Sequence, residues 1–487
     1  MLSLHSKDAY KIGHKDQYPI GTTEIYSNLT ARSGKLANIP DSKGIYFIGL
    51  QYFIINYLIN EWNDTFFSKQ KHEVVSKYQR RVSNILGYTV NIEHIEALHD
   101  LGYLPIVIKA LPEGSFVNYG VPFLTIKNTK PEFFWVTNML ESVMSAELWQ
   151  PITSATTYMA YKKLFHKFAE ETGVDKESIP YQGHDFSFRG MAGRHAAAIS
   201  GFSVLAAGCI GTDCVSAIDI AEECYGADSD LEVIGQSVNA TEHSVMCSNG
   251  KETEIATFNR LITEIYPIGI VSIVSDSWDF WQVVTDYLPQ LKDIIMSRNG
   301  KVVIRPDSGD PVDIICGDKN APINSPEYKG LIECLWDTFG GTISDTGYKV
   351  LDDHIGAIYG DSITYERAEQ ILSRLKDKVF ASSNIVLGIG SYTYQYVTRD
   401  THGMAVKSTH AIINGEYTPI FKEPKTGDGL KKSAKGYLMV ERVGDEYRLR
   451  DNVDSKAEKH GCLETVFKDG QLAKRTTLKE IRELTRL

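Results

Sequence analysis

The sequence has no Cys-x-x-Cys pair, no low-complexity tract, no internal repeat and no uninterrupted apolar run long enough to cross a bilayer. Each absence removes a class. Seven cysteines (Cys209, Cys214, Cys224, Cys247, Cys316, Cys334 and Cys462) are odd in number and scattered, which excludes a disulfide framework and a cysteine zinc site and fits reduced thiols of a cytoplasmic protein. The most apolar stretch, 45–59, is broken by Gly49, Gln51 and Asn56, so it reads as a core helix, not a membrane span. The first residues place Lys7 beside Asp8 and offer no apolar segment of the secretory type. A formal net charge of −11 argues against a general binder of nucleic acid or anionic membrane. An anionic substrate would need a local basic pocket.

What is present points to enzyme chemistry at strand ends. Val302-Val303-Ile304 reads as a buried strand that stops at Arg305-Pro306-Asp307-Ser308-Gly309, where Pro and Gly force a turn. A guanidinium beside a carboxylate there can hold a phosphorylated sugar, with Arg on phosphate and Asp on ribose hydroxyls or a metal; it can equally be an internal ion pair that pins the loop. The same design recurs at His184-Asp185-Phe186, Gly211-Thr212-Asp213, Ser275-Asp276-Ser277-Trp278-Asp279, Gly360-Asp361-Ser362 and Gly388-Ile389-Gly390-Ser391, each following an apolar or small-residue stretch. Helical patterns fill the gaps at 191–207, 214–225, 251–266, 278–297, 325–339 and 364–379. Strands alternating with helices imply parallel βαβ units, whose sites form at the carboxyl ends of the strands. So many convergent strand ends favour a barrel.

At 487 residues the chain is too long for one ordinary core. Short strands joined by Pro/Gly turns at 104–127, further strand-and-turn character at 404–421 and 437–449, and a hairpin signal at Asn414-Gly415 mark the flanks. Helical patterns at 131–148 and 152–172 lead into the centre. The expected organisation is an α/β fold in two parts: a discontinuous α+β domain of residues 1–150 plus 400–487, and a β/α barrel-like catalytic domain of residues 151–399.

The ordered set Asp8-Ala9-Tyr10-Lys11, His184-Asp185-Phe186-x-Phe188-Arg189-Gly190, Gly211-Thr212-Asp213, Glu242-His243-Ser244, Val274-Ser275-Asp276-Ser277, Arg305-Pro306-Asp307-Ser308-Gly309 and Gly360-Asp361 resembles the nicotinamide phosphoribosyltransferases, which stand with the nicotinate and quinolinate enzymes of the barrel-like, type II phosphoribosyltransferases. The resemblance runs from Asp8 to Thr465-Val466-Phe467-Lys468-Asp469-Gly470. It implies reaction of nicotinamide with phosphoribosyl pyrophosphate, giving nicotinamide mononucleotide and pyrophosphate for NAD salvage. It also implies Mg²⁺, ATP as co-substrate, and a homodimer with shared active sites.

The resemblance further assigns roles. Phe186 and a partner subunit's Tyr10 sandwich the pyridine ring, and Asp213 accepts from the carboxamide while repelling a carboxylate. Arg189 and Arg305 contact phosphate and product; Asp307 with Gly360 and Asp361 serves the ribose and metal side. Ser275, Gly390 and Ser391 fall among the substrate-binding residues. Arg399 and Lys407, joined by Lys431, hold the 5′-phosphate or the nucleotide from the other subunit. ATP phosphorylates His243, with Glu242 and Asp279 as the expected orienting carboxylates. The chain departs from the family's three consecutive glycines at Gly388-Ile389-Gly390-Ser391, and has Ala405 where a serine is common. The alternatives are a nicotinate enzyme, which Asp213 argues against, a catalytically silent binding protein on the same fold, and a metal-assisted hydrolase using Asp276, Asp307 and Asp361.

Overall fold

The computed structural model describes residues 1–360, 362–422 and 434–487. They divide into two compact units, one of Met1–Thr156, Ile220–Ala227 and Val397–Arg486, the other essentially Thr157–Asp219 and Asp228–Tyr396.

In the first unit, strands from both ends of the chain share one seven-stranded antiparallel sheet. Its order is Glu416–Pro419, Met404–Ile413, Thr22–Ala31, Pro122–Asn128, Ile106–Ala110, Glu464–Lys468 and Gln471–Leu472. The hairpin expected at Asn414-Gly415 is present, with φ of 53° and 80°, the left-handed pair a two-residue turn between strands demands. The apolar stretch at 45–59 divides: Gly44–Tyr46 is a strand, and helical structure starts only at Leu50. Gly49, at φ 104°, makes the break, because a non-glycine residue there would be strained. Buried Glu113 then accepts from the amides of Gly49 (2.5 Å) and Gln51 (2.6 Å). The segment Ile220–Ala227, which the sequence boundaries place in the central part, joins this unit instead. Tyr225 donates to Glu113 (3.1 Å), and the Gln51 side-chain Nε2 donates to the Cys224 carbonyl (2.5 Å).

The helical pattern at 131–148 begins as two separate short pieces, Pro131–Phe133 and Val136–Met139. Its end joins the pattern at 152–172 in one 32-residue helix, Glu141–Thr172, which contains Pro151 and carries the chain from the first unit into the second. Among the described residues no helix is long and apolar enough to cross a membrane.

The second unit is built on six parallel strands in the order Asn239–Ala240, Val271–Val274, Val302–Arg305, Ile355–Tyr359, Ile385–Ile389 and Gly183–Asp185. Single bridges Asp185–Thr212 and Gly211–Gln236 continue the pairing past the sixth strand and back toward the first, closing the circuit of a barrel. Helices Arg194–Ala206, Leu288–Met296, Leu331–Phe339 and Tyr365–Asp377 alternate with these strands. The last has buried Ala368, Ile371, Leu372 and Leu375 at spacings of three and four, the pattern of a helix with one face packed.

Candidate active site

Side chains along a strand alternate between faces, so residues two apart share one side of the barrel wall. His184 and Phe186, Ile270 and Ser272, and Lys301, Val303 and Arg305 all line one cavity of about 390 Å³ inside the second unit. Val386 and Ile358 join them. The cavity is therefore the barrel lumen. It reaches from Lys301, before its strand, to Arg305 at that strand's carboxyl end, about 13 Å at ~3.3 Å per residue. Its size suits a small organic ligand.

Asp213 stands at the carboxyl end of this lumen with its side chain half exposed. Its Oδ1 faces His184 Nε2 at 2.8 Å and accepts from Ser237 Oγ at 2.6 Å. Burial works against ionisation, but these two hydrogen bonds and the charges of His184 and Arg305 outweigh it and hold the carboxyl below its ordinary value. The group is thus a carboxylate at neutral pH, oriented by two neighbours and open on one side. Asp213 is not spent as a helix cap: its amide donates to the Asp185 carbonyl, and the following helix starts at Ser216.

The Phe186 ring lies beside that carboxylate's partner, 4.6 Å from the His184 ring centre. Two glycines give it room. A Cβ at Gly388 would fall 2.4 Å from Phe186 Cδ2, and one at Gly360 would fall 2.7 Å from Asp307 Oδ1. Both positions are glycine because a ring and a carboxylate already occupy the space.

Around the next strand ends a polar network forms. Asp276, nearly buried, accepts from the Asp307 amide (2.9 Å) and faces His243 Nε2 (3.1 Å). Burial opposes its ionisation, yet hydrogen bonds from Ser308 and Asp307 and contact with His243 lower its pKa. Arg305 donates to the Thr241 carbonyl (2.5 Å), and its Nε lies 3.8 Å from Asp307. That leaves the Arg305 Nε without a hydrogen-bond partner among the described residues.

Three expectations need correction. Neither Glu242 nor Asp279 orients His243; Asp276 does. Glu242 accepts from Ser244 and precedes the helix His243–Ser248, while Asp279 caps the next helix through the Gln282 amide at 3.0 Å. Ser275 does not line the lumen: it is fully buried and its hydroxyl donates to the Ile273 carbonyl (2.7 Å). Ser272 lines the lumen in its place, being in step with Ile270. Asp361 and Lys431 lie outside the described residues.

Arg189 is exposed on the short turn Phe188–Gly190, and Ser391 packs against Gly190, where an added Cβ would meet its Oγ at 1.9 Å. Gly390 precedes the helical turn Ser391–Tyr394, and Ile389 is a buried strand residue.

The first unit holds its own cluster. Burial lowers the Lys407 ammonium below its ordinary value; the charges of Lys422, Arg32 and Arg399 push the same way against Glu141. Arg399 pairs with Asp400 at the surface (3.2 Å). Tyr10 is exposed on the turn Ala9–Gly13, whose neighbour Lys11 is anchored by an ion pair to Glu141. Among the described residues no three metal-capable side chains converge.

The parallel barrel, with an aromatic ring, an ionised carboxylate and an arginine at its carboxyl rim, has a fold similar to that of the type II phosphoribosyltransferases. Solved structures with this fold include a nicotinate-nucleotide pyrophosphorylase from Pyrococcus furiosus (TM-score 0.58, 14% identity, 99% of this chain and 94% of that one). A human nicotinic acid phosphoribosyltransferase aligns similarly (TM-score 0.54, 13% identity, 98% and 92%). Residues 181–471 match the Nicotinate phosphoribosyltransferase (NAPRTase) family, and residues 3–108 match the Nicotinamide phosphoribosyltransferase, N-terminal domain. A nicotinamide phosphoribosyltransferase of Acinetobacter baylyi is 54% identical over 490 residues, covering 99% of this chain and 96% of that protein. One of Mycoplasma pneumoniae is 34% identical, with coverages of 88% and 93%. The chain belongs to the nicotinate phosphoribosyltransferase family, on the branch of the nicotinamide phosphoribosyltransferases.

Proposed function

We propose that this chain is the enzyme that joins nicotinamide to the phosphoribosyl group of phosphoribosyl pyrophosphate, releasing pyrophosphate and forming nicotinamide mononucleotide for NAD salvage. The observation that carries this reading is the ionised, oriented Asp213 at the lumen's rim. A carboxamide can donate its N–H to that carboxylate, whereas the carboxylate of nicotinate is repelled by it. Phe186 supplies one flat face for the ring. The pyridine nitrogen then attacks the anomeric carbon as the bond to pyrophosphate breaks, and the electron pair leaves with pyrophosphate. Arg305, on the lumen wall, and Asp307 beside it would hold phosphate and ribose during this transfer. Magnesium would come with the pyrophosphate substrate, and Asp361 is the residue that the resemblance puts on the metal side.

ATP assists in this reading through His243. With Asp276 taking the Nε2 hydrogen, Nδ1 keeps its lone pair and attacks the γ-phosphorus, displacing ADP. The cationic cluster of Arg399 and Lys407, the exposed Tyr10, and Lys431 complete the site of a partner subunit in a homodimer. The cytoplasm, where phosphoribosyl pyrophosphate and ATP are present, is the expected location. Incubation with nicotinamide or nicotinate, phosphoribosyl pyrophosphate and Mg²⁺, with and without ATP, tests this. The expected product is nicotinamide mononucleotide, in larger yield with ATP; exclusive formation of the nicotinate product would overturn the assignment.

A further inference from the structure

Asp185 lies between His184 and Phe186 in the strand Gly183–Asp185 and its following turn, yet it has no part in the chemistry above. The alternation that sends His184 and Phe186 into the lumen sends Asp185 to the opposite face, and Asp185 is absent from the cavity wall. It is 1% exposed. A carboxyl buried on the outer side of a barrel wall is a costly substitute for the aliphatic residue that strand position would ordinarily hold.

Its hydrogen bonds show what it holds. Oδ1 accepts from the Ser187 amide at 2.9 Å, closing the turn that carries Phe186. The Asp185 amide donates to the Gly211 carbonyl (3.0 Å), and its carbonyl accepts from the Asp213 amide (3.0 Å). Phe186 is pinned on its other side by its own amide, which donates to the Ile389 carbonyl (3.0 Å). One residue therefore ties together the ring-bearing turn and the backbone of the specificity carboxylate. Oδ2 makes no hydrogen bond among the described residues, so no cation has claimed the group for an ion pair. Burial raises its pKa above the ordinary value, against the pull of Ser187 and His184.

We propose that Asp185 is a positioning residue, whose buried carboxyl locks the Phe186 turn in the geometry that receives the pyridine ring, without touching substrate. This rests on the reading of the lumen's rim as the nicotinamide site. It separates two contributions: Phe186 and Asp213 contact the ring, and the Asp185 carboxyl holds the turn that carries Phe186.

The test compares full-length wild type, Asp185→Asn, Asp185→Ala and Asp185→Val. Asparagine keeps an oxygen for the Ser187 amide; alanine and valine do not, and valine preserves volume and suits a strand. Steady-state kinetics in each substrate, equilibrium dialysis with labelled nicotinamide and thermal unfolding are measured. Loss of the acceptor should raise KM and Kd for nicotinamide by about 5- to 30-fold, while kcat and the KM for phosphoribosyl pyrophosphate stay within about threefold. Asp185→Asn should lie within about threefold of wild type throughout. Wild-type nicotinamide affinity in a folded Ala or Val variant overturns the proposal. So does equal damage in Asn, which would assign the effect to charge, or a fall in kcat alone. Failure of both Ala and Val to fold would make Asp185 a determinant of folding and also count against it. Wild type is the control for the functional reading: if it neither binds nor turns over nicotinamide, that reading fails and takes this assignment with it.

Discussion

At the rim of the lumen, Asp213 is oriented by His184 and Ser237, and the Phe186 ring lies over Gly388. Asp213 and Phe186 are candidates through the family resemblance, since their residue types alone read equally as a helix cap and as core packing; both line the lumen. The partner of His243 is not legible. Glu242 and Asp279 are near it by motif, but motif distance says nothing about which carboxylate a fold brings round; Asp276, from the next strand end, reaches it at 3.1 Å. Likewise Ser275 and Ser272 look equivalent in a Ser-Ile-Val-Ser run until strand parity puts one inside the lumen and the other against its own backbone. Two predictions belong here. Asp213→Asn keeps the shape and removes the charge, so nicotinamide should lose about 1.5–3 kcal/mol of transition-state stabilisation while nicotinate gains. The nicotinamide/nicotinate ratio of kcat/KM measures this, and an unchanged ratio would mean that another group reads the ring. His243→Ala should still form nucleotide, since neither ring nor ribose contacts need an imidazole. ATP hydrolysis and its stimulation of the reaction should disappear, and labelled ATP should leave acid-labile label on wild type alone. A mutant that still hydrolyses ATP and responds to it like wild type would make His243 structural.

At the scale of elements, the alternation of strand and helix through the central region was readable because apolar runs of four to five residues are punctuated by Pro, Gly and Asp. A barrel is expected from the number of strand ends, but the path of its closure was not readable. It depends on single-residue bridges at Gly211, Thr212 and Gln236, which are too short to leave any periodic pattern. Nor was the single long helix Glu141–Thr172, because Pro151 reads locally as a break. The parallel pairing of Gly183–Asp185 with Ile385–Ile389 has a consequence that can be measured. It sets His184 opposite Gly388 and lays the Phe186 ring across that glycine, where a Cβ would fall 2.4 and 2.7 Å from ring carbons. Gly388→Ala should therefore push the ring off its position at a cost of about 1–3 kcal/mol, by overpacking. The backbone of Gly388 has no positive φ, but the same Cβ would fall 2.9 Å from the Gly360 Cα, so the neighbouring strand end must yield slightly as well. The expected signature is a nicotinamide KM raised about tenfold with a smaller change for phosphoribosyl pyrophosphate, in a protein that still folds and unfolds a few degrees below wild type. Equal losses for both substrates would mean that the whole rim has moved, not the ring alone.

For the whole molecule, the sequence reveals that both ends of the chain build the flanking part, since strand-and-turn character recurs on either side of the βα region. It does not reveal that Ile220–Ala227 leaves the barrel region to join them, because that depends on Tyr225 and Gln51 meeting partners distant in sequence. The division also distributes the chemistry. Phe186, Asp213, Arg305 and His243 belong to one unit, whereas Tyr10, Arg399 and Lys407 belong to the other. In the proposed homodimer each site takes its barrel from one subunit and its Tyr10 and Arg399 from the partner, which makes the arrangement testable by complementation. Tyr10→Ala leaves the barrel intact, and Arg305→Ala leaves Tyr10 intact; each homodimer should be strongly impaired. In a heterodimer with sites shared in trans, one site collects both lesions. The other combines Arg305 from the first chain with Tyr10 from the second and carries none. Differently tagged chains, refolded together and purified through both tags, should therefore regain activity with a KM for nicotinamide like wild type, at about half the wild-type kcat per dimer. If each site were built within one subunit, every site in the heterodimer would keep one lesion, and the purified heterodimer would stay as inactive as its parents.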